Sequence, residues 1–154
     1  MRVIDSIENF GNLVGCELGT GSWHTITQEA IDAFAQATDD RQWIYTDPEK
    51  AKTGPYGATI AHGYLTLSLL PALTADAYSI AGVGSRVNYG LDRVRFPTPV
   101  ISGSRIRNRA TLLSVEVLRN GVRAVIRNRV ELEGSASLAC VADTVTLFVS
   151  TKSV

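Results

Sequence analysis

Residues 39–71 read DDRQWIYTDPEKAKTGPYGATIAHGYLTLSLLP: a polar cluster, a glycine-interrupted loop and a long apolar segment that begins at a His-Gly pair. Between positions 61 and 78 nearly every helical face is apolar, so a helix over 60–78 is expected to be buried on all sides. A chain of this size that buries one helix completely must wrap something around it. The residues that follow read as strands, and a sheet curled around a central helix is the natural solution. His62, Thr66, Ser68, Pro71 and Asp76 interrupt the segment. Its apolar runs therefore fall far short of the roughly 20 residues a membrane span needs, and a buried helix is the better reading.

With 154 residues, 45% hydrophobic and 19% charged, the chain fits one globular domain over 1–154. Its net charge of zero argues against a nucleic-acid binder that works by general basicity. The charge is nevertheless uneven: ten of the twelve arginines lie in 86–129, against only Asp92 and Glu116 as acids. Cys16 and Cys140 are too few for a disulfide scaffold or a zinc site, and are expected to be reduced and structural. The start, MRVIDSIENF, lacks a basic stretch followed by an apolar run, which makes a cytoplasmic location the expectation.

In chain order, the apolar spacing of Ile4, Ile7, Phe10, Leu13 and Val14 predicts a short helix over 4–14. Residues 17–26 hold a glycine turn and then a strand at Trp23-His24-Thr25-Ile26. Thr27 is a suitable N-cap for a helix through about Thr38, and Asp47-Pro48 for a short one through about Lys52. Between them, 39–46 breaks the periodicity. Residues 86–89 and 91–96 read as two extended pieces, and 104–118 as a strand whose parity slips at Leu112-Leu113, a bulge signature. Asn120-Gly121 predicts a type I′ hairpin turn. Even positions of 122–132 are mostly apolar and odd ones mostly charged, so one face is buried; 138–149 is expected to close the sheet.

The ionisable groups ahead of the apolar segment are Asp39, Asp40, Tyr45, Asp47 and His62. A carboxylate near an apolar tunnel can orient a water molecule, while free N–H groups at a helix start can hold a developing oxyanion. That combination suits addition or removal of water beside a thioester carbonyl. A carboxylate before a helix is also commonly a cap.

The run DRQWIYTDPEKA (40–51), followed by GPYGATIAHGYLTLSL (54–69) and NYGLDRVRFP (88–97), resembles the MaoC-like dehydratases and their nodulation protein N-like branch. These are (R)-specific enoyl-thioester hydratases and 3-hydroxyacyl-thioester dehydratases. The resemblance implies an α+β hot-dog fold, a curved antiparallel sheet around a long central helix, and a homodimer. It also implies an acyl thioester as substrate, with coenzyme A or a phosphopantetheine arm as part of it, an acyl carrier protein as a candidate partner, and no metal or redox cofactor. In that family an aspartate and a histidine five residues later share a catalytic water, and the glycine of the His-Gly pair offers its N–H to the thioester oxygen. Here the aspartate falls on Asp40, the glycine on Gly63, and the histidine position is held by Tyr45. An unperturbed phenol ionises near pH 10, about 3.5 units above imidazole, so Tyr45 is suited to donate a proton and not to accept one at neutrality.

Around these three, His62 is expected to orient the turn entering the helix, and Trp43 and Tyr56 to line an acyl pocket or simply pack. His24 lies in a strand far from the motif. Most of the arginines solvate the wet face of the sheet, with Arg93 and Arg95 the candidates for phosphates of the thioester carrier. Two other functions stay open: a repurposed hot-dog enzyme (hydrolysis or conjugate addition at the thioester) and a non-catalytic acyl-thioester binder.

Overall fold

A computed structural model of the chain describes residues 1–151. Strand β1 (Arg2–Ile4) is followed by a 3-10 turn (Asn9–Leu13), β2 (Glu17–Thr20) and β3 (His24–Thr25). Helices α1 (Gln28–Thr38), α2 (Trp43–Thr46), α3 (Pro48–Ala51), α4 (Gly63–Ser68) and α5 (Leu70–Leu73) come next. Strands β4 (Tyr78–Ile80), β5 (Val83–Arg95), β6 (Arg105–Leu118), β7 (Gly121–Leu132) and β8 (Leu138–Ser150) complete the order. The main sheet is antiparallel and runs β2-β6-β7-β8-β5, with β3 also paired to β6; β1 and β4 form a small parallel pair.

Strand β7 shows how the sequence builds the sheet. Val122, Ala124, Ile126, Asn128 and Val130 are all buried, while Arg123, Arg127 and Arg129 alternate with them on the other face. The buried face meets the helices: Leu65, Leu70 and Leu73 pack with Ile106, Val130, Cys140 and Ala142. A second cluster closes the other end around Phe10, Tyr78, Leu112 and Phe148. On the buried face Asn108 Nδ2 donates to Asn128 Oδ1 at 2.8 Å and Asn128 Nδ2 to the Thr144 hydroxyl at 3.0 Å, whereas among the described residues Asn108 Oδ1 has no partner.

Both predicted caps form. The Thr27 hydroxyl accepts from the Ala30 N–H at 3.2 Å, and Asp47 accepts from the Lys50 N–H at 3.0 Å. The parity slip is also present, as a register shift between Leu112 and Ser114.

Several expectations are corrected. The helix predicted over 60–78 is two short helices interrupted at Leu69, because Pro71 has no N–H to continue the ladder. It is not buried on all sides: Tyr64 is 70% exposed, and Ser68, Pro71 and Ala72 also face outward, because the sheet covers only one flank. Residues 4–14 form the end of β1 and a 3-10 turn, since Gly11 weakens a regular helix there. Residues 39–46 contain α2, a single turn too short to carry a periodic signal. Residues 86–95 belong to one strand, β5, whose register shifts at 88–90 and 91–93 make it read as two pieces, and Phe96 lies just past its end. The β6–β7 turn is not type I′: Leu118 pairs with Gly121 across Arg119 and Asn120, and Gly121 alone of the Asn-Gly pair has positive φ, 147°. Strand β8 lies inside the sheet, and β5 is its edge. Cys16 is exposed, so only Cys140 packs in the core, where burial pushes its thiol up to about 11.

The Asn108–Asn128 pair yields a direct test. Asn128→Ala should lower stability by about 1–3 kcal/mol in urea denaturation, because it leaves the buried Asn108 amide unpaired. An unchanged midpoint would mean that water reaches Asn108.

Candidate active site

Helix α1 ends at Asp39, whose φ of 61° is the left-handed conformation of a helix C-terminus. Asp39 is exposed and pairs with Arg41 at 3.0 Å. Asp40 beside it is half-buried. Its Oδ1 accepts from Gln42 Nε2 at 3.0 Å, and among the described residues nothing donates to its Oδ2. One carboxylate oxygen is therefore held and the other is open.

Tyr45 is carried by α2, and its carbonyl accepts from Gln28 Nε2 at 2.7 Å. Gln28 Oε1 in turn accepts from the Thr59 hydroxyl at 2.5 Å, which ties α1, α2 and the loop ahead of α4 together. Burial raises the Tyr45 phenol above its ordinary ionisation, with further upward pushes from the Asp40 charge and from Tyr56. These effects favour the neutral form of the phenol.

His62 is buried between aromatic rings. Tyr45 stacks on it at 3.8 Å and 26°, and Phe34 tilts against it at 5.0 Å. Its Nε2 lies 2.9 Å from the Asp40 carbonyl oxygen. A carbonyl only accepts, so Nε2 carries the hydrogen. The other nitrogen, Nδ1, is buried without a partner. His62 stands at the turn entering α4, makes no side-chain cap bond there, and ties that turn to the Asp40 loop.

Gly63 opens α4, and among the described residues no acceptor faces its N–H. A Cβ at this position would come within 2.9–3.1 Å of the Phe96 ring, so glycine is required here by a close approach of side chain to backbone. Asp40, Tyr45, Tyr56, His62 and Gly63 therefore gather at one place. Trp43, on the same helical turn as Tyr45, is exposed, its ring under Lys50 Nζ at 5.0 Å and against Gly54. Arg93 and Arg95 do not join them; they share a depression with Arg127 and Arg129 on the outer face of the sheet.

Five supporting residues escaped sequence reasoning: Gln28, Phe34, Gln42, Thr59 and Phe96. Phe34 lies on the apolar stripe of α1, but the Gln28–Thr59 bond joins residues 31 apart and leaves no local spacing to read. A cleft of about 570 Å³ begins one helical turn beyond Gly63, lined by Leu67, Leu70, Leu91, Asn128, Val145 and Phe148 among others. It contains none of the gathered site residues.

Residues 9–134 match the MaoC like domain family. The chain belongs to that family. It is 48% identical over 151 residues to 3-hydroxyacyl-thioester dehydratase Z of Mycobacterium tuberculosis, covering 97% of this chain and 100% of that protein. It is 40% identical over 141 residues to nodulation protein N of Rhizobium meliloti, covering 90% and 88% respectively. The R-hydratase PhaJ1 from Pseudomonas aeruginosa shares the fold at a TM-score of 0.71 and 23% identity, over 89% of this chain and 82% of that one. The architecture is the α+β hot-dog fold of these MaoC-like proteins, here with an interrupted central helix.

The raised Tyr45 phenol has a measurable consequence. A raised folded value means that its neutral form contributes stability below the ordinary value of about 10, and that this contribution is lost as pH rises through the folded value. In an ultraviolet alkaline titration, Tyr45→Phe should remove a phenol that ionises late, and Asp40→Asn should bring that ionisation earlier. A Tyr45 titration unmoved by Asp40→Asn would separate the two side chains.

Proposed function

We propose that the chain is a hydro-lyase that adds water to, or removes it from, the 2,3-position of an acyl thioester, with (R) stereochemistry at C3. The observation that carries this reading is the open oxygen of Asp40 beside the neutral Tyr45 phenol and the unpartnered Gly63 N–H. The 48% identical relative named as a 3-hydroxyacyl-thioester dehydratase supports the same reaction class.

In the hydration direction, Asp40 takes a proton from water as the water oxygen bonds to C3 and the C2–C3 π bond opens. Negative charge moves to the thioester oxygen, which accepts from the Gly63 N–H. Tyr45 delivers a proton to C2, and the proton on Asp40 returns to the phenolate, so both groups are restored. Addition of water changes no net oxidation state, and the reaction asks for no redox cofactor; the acid, base and oxyanion donor are all protein groups, and it asks for no metal. Tyr56 borders the thioester site, and the cleft beyond Gly63, with its Leu67, Leu70 and Val145 walls, takes the acyl chain. The thiol carrier is coenzyme A or the phosphopantetheine arm of an acyl carrier protein.

We further infer a homodimer. Strand β5 is a 13-residue edge that exposes Val87, Tyr89 and Leu91, and Tyr64 and Phe96 lie exposed near its end, a surface that invites a second copy. A reducing cytoplasm suits the two unbridged thiols.

The test is hydration of crotonyl thioesters, with chiral analysis of the 3-hydroxy product. Asp40→Asn should remove most turnover while leaving fold and oligomeric state intact. Tyr45→Phe should abolish what remains if the phenol protonates C2, and Tyr45→His should raise turnover by roughly 10²–10⁴-fold if an imidazole there completes the site. Release of free acid, or tight binding without turnover, would overturn the hydro-lyase reading.

A further inference from the structure

The outer face of the sheet distributes its arginines unevenly. Arg105 pairs with Glu133, Arg107 with Glu131, Arg109 with Glu17 and Glu131, Arg123 with Glu116, and Arg127 with Asp143. Arg86 lies over the Tyr78 and Phe148 rings. Among the described residues, Arg93, Arg95 and Arg129 make no ion pair, nor does Arg119 in the β6–β7 turn. Arg93, Arg95 and Arg129 stand together.

The strand register explains why. Arg109, Arg129, Val141 and Arg95 form one row across β6, β7, β8 and β5, and Thr111, Arg127, Asp143 and Arg93 form the next. Arg93, Arg95, Arg127 and Arg129, with Val141, line a depression of about 280 Å³. The one carboxylate in the group, Asp143, is nearly buried and already spent on a two-bond contact with Arg127 at 2.7 and 2.8 Å. Asp92, in the bulge beside Arg93, forms no ion pair with it. A face that merely solvates interleaves opposite charges, and this sheet does so at Arg105, Arg107, Arg109 and Arg123. Like charges opposed across strands are unfavourable, so unpaired guanidinium groups crowded around one hollow call for a multivalent anion.

We propose that this depression is a binding site for phosphate esters, held by Arg93, Arg95, Arg127 and Arg129. Guanidinium forks match phosphate oxygens two at a time; Arg93 and Arg129 have theirs open, while Arg127 keeps one edge on Asp143 and Arg95 gives one nitrogen to the Val94 carbonyl, and together they suit a bisphosphate or a diphosphate. Two sources share that chemistry: the nucleotide end of a coenzyme A thioester, or a separate phosphorylated small molecule. The first source rests on the hydro-lyase reading. It is favoured by the end of β5, where Arg95 sits on the outer face and the next residue, Phe96, turns inward over Gly63.

The full chain is titrated calorimetrically with adenosine 3′,5′-bisphosphate and with inorganic diphosphate. Binding should weaken as salt is raised, and Arg93→Ala or Arg129→Ala should each reduce affinity about tenfold through loss of charge-assisted bonds. Arg105→Ala, which breaks a pair elsewhere on the face, should leave affinity as it was. The melting temperature of Arg129→Ala should hold or rise, since it relieves repulsion. The source is read from the ratio of kcat/KM for a coenzyme A thioester to that for the N-acetylcysteamine thioester. A ratio that falls about tenfold in Arg129→Ala places the substrate's own phosphates in the site. Binding with an unmoved ratio assigns the site to a separate phosphorylated ligand. If no thioester is turned over, the hydro-lyase reading falls while the calorimetric arm still decides the site. Absence of binding by both probes, or affinity unchanged in Arg93→Ala and Arg129→Ala, overturns the proposal.

Discussion

The hydrogen bond from His62 Nε2 to the Asp40 carbonyl oxygen, 2.9 Å long and partly buried, is the constraint on which the site depends. It joins the last residue before α4 to the loop after α1, 22 residues earlier, and so brings Gly63 and Asp40 into one neighbourhood. The bond is made to backbone, which holds the loop and leaves the Asp40 carboxylate free to work. Phe34 and Tyr45 on the two sides of the imidazole hold the ring in place, and a partly buried polar bond between packed aromatics has few alternative arrangements.

That constraint also gives Tyr45 its character. A phenol stacked on a buried ring loses water on that side and meets the Asp40 charge, and both effects keep its proton on. The position that the family motif gives to a histidine therefore holds, in this chain, a phenol kept in its neutral form. Beside it Asp40 has one oxygen held by Gln42 and the other open, and the proposed reaction takes the first group as acid and the second as base. The division of labour follows from environment as much as from residue type.

The sheet separates two chemistries. Its inner face carries the apolar contacts to α4 and α5, interrupted by the Asn108–Asn128 pair. Its outer face carries arginines, of which Arg105, Arg107, Arg109, Arg123 and Arg127 are matched to carboxylates, while Arg93, Arg95 and Arg129 share one hollow with Arg127. The two faces meet at Arg95 and Phe96, where the chain passes from one to the other in a single residue step because strand side chains alternate.

The sequence by itself determined what is local: the Thr27 and Asp47 caps, the alternation of β7 and the bulge after Leu112; its motif also named Asp40, Tyr45 and Gly63 as candidates, which the fold brings to one neighbourhood. Each of these is decided within a few residues by hydrogen-bonding geometry, by side-chain period or by a contiguous run. Tertiary structure decided the rest. Apolar composition over 60–78 could not say that only one flank of the helix would be covered, since exposure depends on where the sheet lies. The imidazole of His62 read as a turn residue because its partner, the Asp40 carbonyl, is distant in sequence and leaves no side-chain signature. Arg93 and Arg95 were legible as phosphate candidates, but their grouping with Arg127 and Arg129 is set by strand register, a relation between residues more than thirty positions apart that no single stretch of sequence contains.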